Sequence, residues 1–283
     1  MRFSLELIQH ALRYVHPEKL YTYFGLPAPK NGSGIGAGAF GVSALLYLPA
    51  RQQVERQARD AARELLEDPL VAAQVDRLPF QPGDLVAVMG DSITDDLFSW
   101  FQLIQDMVEL RRKSDQIRFL NLAFSGDTTA HMFSRILPLI QAKPQWIFCL
   151  AGTNDARRIG GQLVKTAVSP AETGLNLAAM QQFACTETQA RWIWLTPLPL
   201  LEEKTMKDEY FRESELSWQS ADLEAVAEIV RRQTGPVIDL FPVFGNPPDP
   251  TLLEEDGLHP SQAGQARIAR TVLDFLSNNQ LGI

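Results

Sequence analysis

From Asp84 onward the chain alternates short apolar runs with longer segments of helical periodicity. No other feature constrains the fold as strongly. The runs are 85–89, 117–124, 146–150, 192–196 and 237–240. They are rich in Val, Ile, Phe and Trp and too short to be helices. Helical patterns fall at about 95–113, 130–141, 170–190, 214–233 and 261–277. Five strands alternating with helices predict a parallel sheet covered on both faces. In such a sheet, ligands sit beyond the carboxyl ends of the strands, near the switch in strand order. Chemistry is expected at that edge.

Residues 1–80 read as a mostly helical extension ahead of a catalytic-sized unit at 84–283. The extension opens on an apolar-rich segment. Glu6 and His10 interrupt its apolar run, so it does not read as a secretory signal, and a cytoplasmic location is expected. From Asn31 to Ala50 there is no charge, and Gly32, Gly34, Gly36, Gly38 and Gly41 crowd its first half. That much glycine predicts a loop; its length leaves membrane contact as the weaker alternative. From about Pro49 to Arg77 the pattern is amphipathic, with Val54, Ala58, Ala61 and Leu65 on one face. Pro79 and Pro82-Gly83 then punctuate the chain.

A formal charge of -8, with no basic run, argues against nucleic acid as a partner. The two cysteines, Cys149 and Cys185, lack Cys-x-x-Cys spacing, so no metal site is expected. Cys149 lies in an apolar run and reads as a small buried hydrophobe.

Four motifs stand at the expected edge. Strand one ends in Gly90-Asp91-Ser92-Ile93-Thr94, which puts a hydroxyl between strand and helix. Strand two ends in Phe124-Ser125-Gly126-Asp127, where Gly126 can bring a bare N–H to a ligand. Strand three ends in Gly152-Thr153-Asn154-Asp155, where Asn154 supplies a neutral amide donor. The fourth, Asp256-Gly257-Leu258-His259, precedes the last helix. Asp256 can fold back onto the His259 Nδ1–H and leave Nε2 as a base. Each motif alone is an ordinary turn or cap. Asp91 and Asp155 read as structural carboxylates bonding their own loops.

Together, and in this order, the four blocks resemble the SGNH hydrolases, also called the GDSL esterase/lipase family, over roughly residues 84–277. The resemblance implies a three-layer α/β/α, flavodoxin-like fold with a five-stranded parallel sheet. It implies Ser92 as nucleophile, His259 as general base and acid, and Asp256 as its orienting partner. The oxyanion hole would be the Ser92 N–H, the Gly126 N–H and the Asn154 side chain. No cofactor is implied. One departure is Ala123-Phe124, where relatives often carry a glycine, so the acyl pocket is expected to differ. Gly-x-Ser-x-Gly is absent around Ser92, which separates the chain from the α/β-hydrolase elbow.

The function so implied is hydrolysis of carboxylic esters, with short or medium acyl or O-acetyl groups on a lipid or carbohydrate. An acyltransferase using the same triad, and a non-catalytic binding protein on the same fold, remain the alternatives. The segment 198–211 after strand four is long enough to cover the site. Its leucines and aromatics can line an acyl channel or form a partly exposed loop. The extension can equally be a lid, a packing element or an oligomer contact.

Overall fold

In the computed structural model, residues 11–19, 21, 32–160 and 165–278 are described. The opening segment 1–10 lies outside the described residues. Five strands form the central sheet: β1 (Leu85–Gly90), β2 (Arg118–Asn121), β3 (Trp146–Leu150), β5 (Arg191–Leu195) and β7 (Val237–Ile238). All neighbours pair in parallel, in the order β2-β1-β3-β5-β7. The chain reverses its direction of winding between β1 and β3, so the switch point lies beside β1. β1 and β3 are buried along their whole length, as a doubly covered sheet demands.

The helices are α1 (Gly32–Ala39), α2 (Ala44–Leu66) and α3 (Pro69–Asp76) in the extension. They are followed by α4 (Ser92–Asp95), α5 (Trp100–Arg111), α6 (Thr129–Ser134), α7 (Ile136–Ala142) and α8 (Pro170–Thr188). Then come α9 (Glu202–Thr205), α10 (Glu209–Glu213), α11 (Ser220–Arg231), α12 (Phe241–Phe244) and α13 (Gln262–Asn278). One face of the sheet packs Val86, Val88, Phe148 and Ile193 against α2, α3, α5 and α13. The other packs Ala87, Met89, Ile147, Trp192 and Trp194 against α6, α7 and α8. Cys149 is fully buried there, as expected, and burial pushes its thiol up.

The three-layer expectation holds, and four local readings change. The Gly-rich stretch is helical, not a loop. Gly36 explains why: a Cβ there would stand 2.1 Å from the Tyr47 hydroxyl, so glycine lets α1 lie tightly on α2. The amphipathic helix begins at Ala44 and runs through Pro49, whose missing N–H forgoes one bond, to the Leu45 carbonyl. The pattern read as one helix over 130–141 is broken at Arg135, because Pro138 cannot donate back to the Ser134 carbonyl. The helix expected from 214 starts at Ser220 instead. Leu216–Ser217 pair as a short strand, β6, with β4 (Arg158–Ile159). Among the described residues, no helix is long and apolar enough to cross a membrane.

Candidate active site

The sheet order seats the motifs beside one another. β1 lies between β2 and β3, so the turns carrying Ser92, Gly126 and Asn154 leave three adjacent strands at one edge. Backbone bonds continue past the strands: Leu122 N–H donates to the Val88 carbonyl at 2.9 Å and Phe124 N–H to the Gly90 carbonyl at 3.0 Å. The Asn121 amide donates to the Thr94 carbonyl at 2.8 Å, which ties the second turn to the first.

Gly90 has no room for a side chain. A Cβ would stand 2.8 Å from Thr94 Oγ1 and 3.0 Å from the Leu150 carbonyl. Asp91 caps α4: its Oδ1 accepts from the Ile93 N–H at 3.1 Å, and its carbonyl accepts from Thr94 and Asp95. The Ser92 N–H is the first-turn donor that Asp91 does not engage. Burial raises the Asp91 carboxyl to about 6.

Ser92 Oγ stands 2.8 Å from His259 Nε2. His259 Nδ1 stands 2.6 Å from Asp256 Oδ2. A carboxylate only accepts, so Nδ1 carries the proton and the Nε2 lone pair faces the Ser92 hydroxyl. Asp256 is itself held, because its Oδ1 accepts from the N–H groups of Leu258 (2.8 Å) and His259 (2.9 Å). The spacing of three residues works because Gly257 turns the chain at φ 73. Burial works against the charged imidazole, but Asp256, with Asp91 and Asp96, outweighs it and holds His259 above its ordinary pKa. Asp256 is held below its ordinary value: burial opposes this, and the bond to His259 overrides it. The arrangement can take a proton from the serine hydroxyl and return it to a leaving group.

Gly126 and Asn154 stand in the turns after β2 and β3, the two strands that flank β1. Gly126 has φ 85, and no atom lies within 4 Å of where its Cβ would be. Asn154 is buried, and its amide donates to the Asp127 carbonyl at 3.1 Å, bridging the second and third turns. Asp127 pairs with Arg135, whose guanidinium lies 4.7 Å over the Phe124 ring. Phe124 lines a pocket beside α7 together with Lys19, Arg135 and Pro138. Asp155 does not bond its own loop as expected. It accepts from the Thr129 N–H (2.8 Å), the Thr129 hydroxyl (2.5 Å) and the Thr173 hydroxyl (2.9 Å), pinning α6 and α8 to the third turn.

Two contributors escaped the sequence reading. Gln265 on α13 is fully buried; its Oε1 accepts from the Trp100 N–H at 2.8 Å and its Nε2 donates to the Ile93 carbonyl at 2.9 Å. It thereby locks the helix after His259 to the turn after Ser92. Only the position of Gln265, one turn into that helix, hinted at this. The second is the segment around residues 11–19, which lies against the site and is treated below. The segment 198–211 packs on the histidine loop: Leu201 N–H donates to the Gly257 carbonyl at 2.9 Å. Leu200 and Phe211 join Trp218 and Leu258 in a small cluster, while Met206 and Tyr210 are exposed. Among the described residues no group of His, Cys, Asp and Glu could hold a metal.

Residues 88–267 match the model of the GDSL-like lipase/acylhydrolase family. The chain belongs to this family. It is accordingly a serine hydrolase of the GDSL type acting on carboxylic esters, with the Ser92–His259 pair at its centre. No curated protein matches the sequence. Solved structures similar in fold include LAE5, an alpha/beta hydrolase enzyme from the metagenome of Lake Arreo, Spain. It is 20% identical with a TM-score of 0.55, over 71% of this chain and 99% of that one. A catalytic mutant of Axe2, an acetylxylan esterase from Geobacillus stearothermophilus, is 19% identical with a TM-score of 0.54, over 71% of this chain and 97% of that one. The acetyl xylan esterase AlAXEase is 18% identical with a TM-score of 0.55, over 68% and 99%. Each of the three is matched over nearly its whole length.

Proposed function

We propose that this GDSL hydrolase removes short acyl groups, O-acetyl foremost, from an alcohol such as a carbohydrate hydroxyl, through a Ser92-His259-Asp256 triad. The observation that carries the reading is the continuous hydrogen-bond chain from Ser92 Oγ to His259 to Asp256, at 2.8 and 2.6 Å. His259 Nε2 takes the Ser92 proton as Oγ bonds to the ester carbonyl carbon. The carbonyl oxygen becomes an oxyanion, held by the Ser92 N–H, the Gly126 N–H and the Asn154 amide. When the intermediate collapses, the ester C–O bond breaks and His259 gives its proton to the departing oxygen. Water then enters; His259 takes one of its protons as the oxygen attacks the acyl-enzyme, and that proton returns to Ser92 Oγ as the carboxylic acid leaves. Asp256 keeps Nδ1 protonated throughout. The acetyl preference draws support from two of the structural relatives, which are acetylxylan esterases. Lipid esters are the competing substrate within the same chemistry.

The test is a fluorophosphonate, followed by mass mapping of the adduct. The label belongs on Ser92, is absent from Ser92→Ala, and forms slowly in His259→Ala. No adduct on folded wild-type protein would overturn the mechanism. Nitrophenyl esters of rising chain length then rank the acyl group, with acetate expected to lead octanoate in kcat/KM. An added sugar alcohol that captures the acyl group faster than water would instead make the enzyme a transferase.

A further inference from the structure

The extension reaches the active site through Tyr14. The Tyr14 ring lies against the His259 imidazole, with centroids 5.0 Å apart and planes tilted by 44°. Ser92, His259 and Tyr14 are each partly exposed, and the ring stands directly beside the histidine of the Ser–His pair. The ring is fixed from both sides along the chain. Leu12 is buried against Tyr47 and Ala50 of α2. Arg13 bonds the buried Asp96 through Nε at 3.0 Å and Nη2 at 2.5 Å, and reaches Glu254 on the histidine loop at 2.8 Å. Its guanidinium lies 5.1 Å over the Tyr14 ring. The Leu97 N–H donates to the Arg13 carbonyl at 3.0 Å. The His16 Nε2–H points to the carbonyls of Arg13 and Asp95, both at 3.0 Å. This anchoring makes the ring a fixed wall.

We propose that Tyr14 is a specificity-determining residue, and that it bounds the subsite for the alcohol half of the ester. The inference rests on the triad mechanism above. In that mechanism the departing oxygen must take a proton from His259 Nε2, so the alcohol lies beside the imidazole, while the acyl group stays bonded to Ser92 Oγ. A rigid ring packed on the imidazole limits the bulk of the alcohol and leaves the acyl group untouched. It selects among alcohols by the bulk they present on the imidazole side of the scissile bond.

Ethyl acetate, benzyl acetate and ethyl butyrate separate the two halves of the substrate. In Tyr14→Ala the benzyl-to-ethyl acetate ratio of kcat/KM rises about tenfold, in line with the size discrimination of an apolar pocket. Tyr14→Phe leaves that ratio at the wild-type value, and Tyr14→Trp lowers it. The ethyl butyrate-to-ethyl acetate ratio stays constant in all three. An unchanged benzyl-to-ethyl ratio in Tyr14→Ala overturns the inference, as does an equal shift in the acyl ratio, which is what general loosening of the site would produce. If Tyr14→Ala does not fold, Tyr14→Trp and Tyr14→Phe decide the matter alone. Fluorophosphonate labelling of Ser92 in each variant keeps the outcome distinct from a failure of the triad, which would show as labelling elsewhere or activity retained in Ser92→Ala.

Discussion

His259 is the residue whose environment most directly sets a measurable property. As the base it must be neutral, so kcat/KM falls as pH drops through its pKa. Burial alone would lower that pKa, but Asp256, Asp91 and Asp96 together raise it above the ordinary 6.5. The acid limb of the pH–rate profile therefore has its midpoint above about 6.5. Asp91→Asn removes one of the three carboxylates without touching the His259–Asp256 bond, so the midpoint moves down while the limb keeps its shape. A wild-type midpoint below 6, or one indifferent to Asp91→Asn, contradicts this account. Asn154 gives a second reading at the same scale. Its amide donates to the Asp127 carbonyl at rest, and an oxyanion is a stronger acceptor than a carbonyl. Asn154→Ala should lower kcat by about 10²–10³ with little change in KM, the signature of a contact made mainly in the transition state.

Among the elements, the parallel sheet was legible from the start because strands buried on both faces must be continuous apolar runs. Three of the four motifs were legible because each short polar block follows such a run, and the fourth because its Asp–His pair stands just before the last helix. What hid was whatever depends on contacts between distant segments. Leu216–Ser217 are too few to carry a period, and only β4 opposite makes them a strand. The Gly-rich stretch looked like a loop because glycine is a poor helix former; the partner ring of Tyr47 is what rewards Gly36. The segment around Tyr14 carries no recognisable motif at all, since its role comes from lying against His259. Gln265 belongs to the same class. It joins α13 to the turn after Ser92 through one acceptor and one donor. Gln265→Leu fits the volume but leaves the Trp100 N–H and the Ile93 carbonyl buried without partners, at about 1–3 kcal/mol each. A lower Tm and a lower kcat are expected together, because the two catalytic turns lose their common tie. Full stability in Gln265→Leu would show that water replaces the side chain.

At the scale of the molecule, the extension and the sheet share one core. Ala58, Ala62 and Leu65 of α2 and Val71 and Val75 of α3 belong to the same buried cluster as Val86, Val88 and Phe148 of the sheet. Arg13, Lys19 and His16 add polar ties to the turn after Ser92. Lys19 pairs with Asp95 and donates to the Ala123 carbonyl at 3.0 Å, while Asp95 in turn accepts from the Ser125 N–H at 2.8 Å, next to Gly126. We therefore expect the boundary near residue 80 to mark a change in sequence texture rather than a thermodynamic unit. Urea unfolding followed by far-UV circular dichroism and by tryptophan fluorescence should give one coincident transition. The tryptophans report on both sheet faces, and α2 contributes heavily to the dichroism, so an extension that melted alone would separate the two signals. Arg13→Met sharpens the test. It strands the Asp96 carboxylate, whose side chain is 0% exposed, and breaking a buried ion pair from one side costs about 3–5 kcal/mol. If the chain unfolds as one body, that loss shifts both curves to lower urea by the same amount. If only the dichroism curve shifts, the extension is an independent attachment, and Tyr14 could leave His259 without the sheet unfolding.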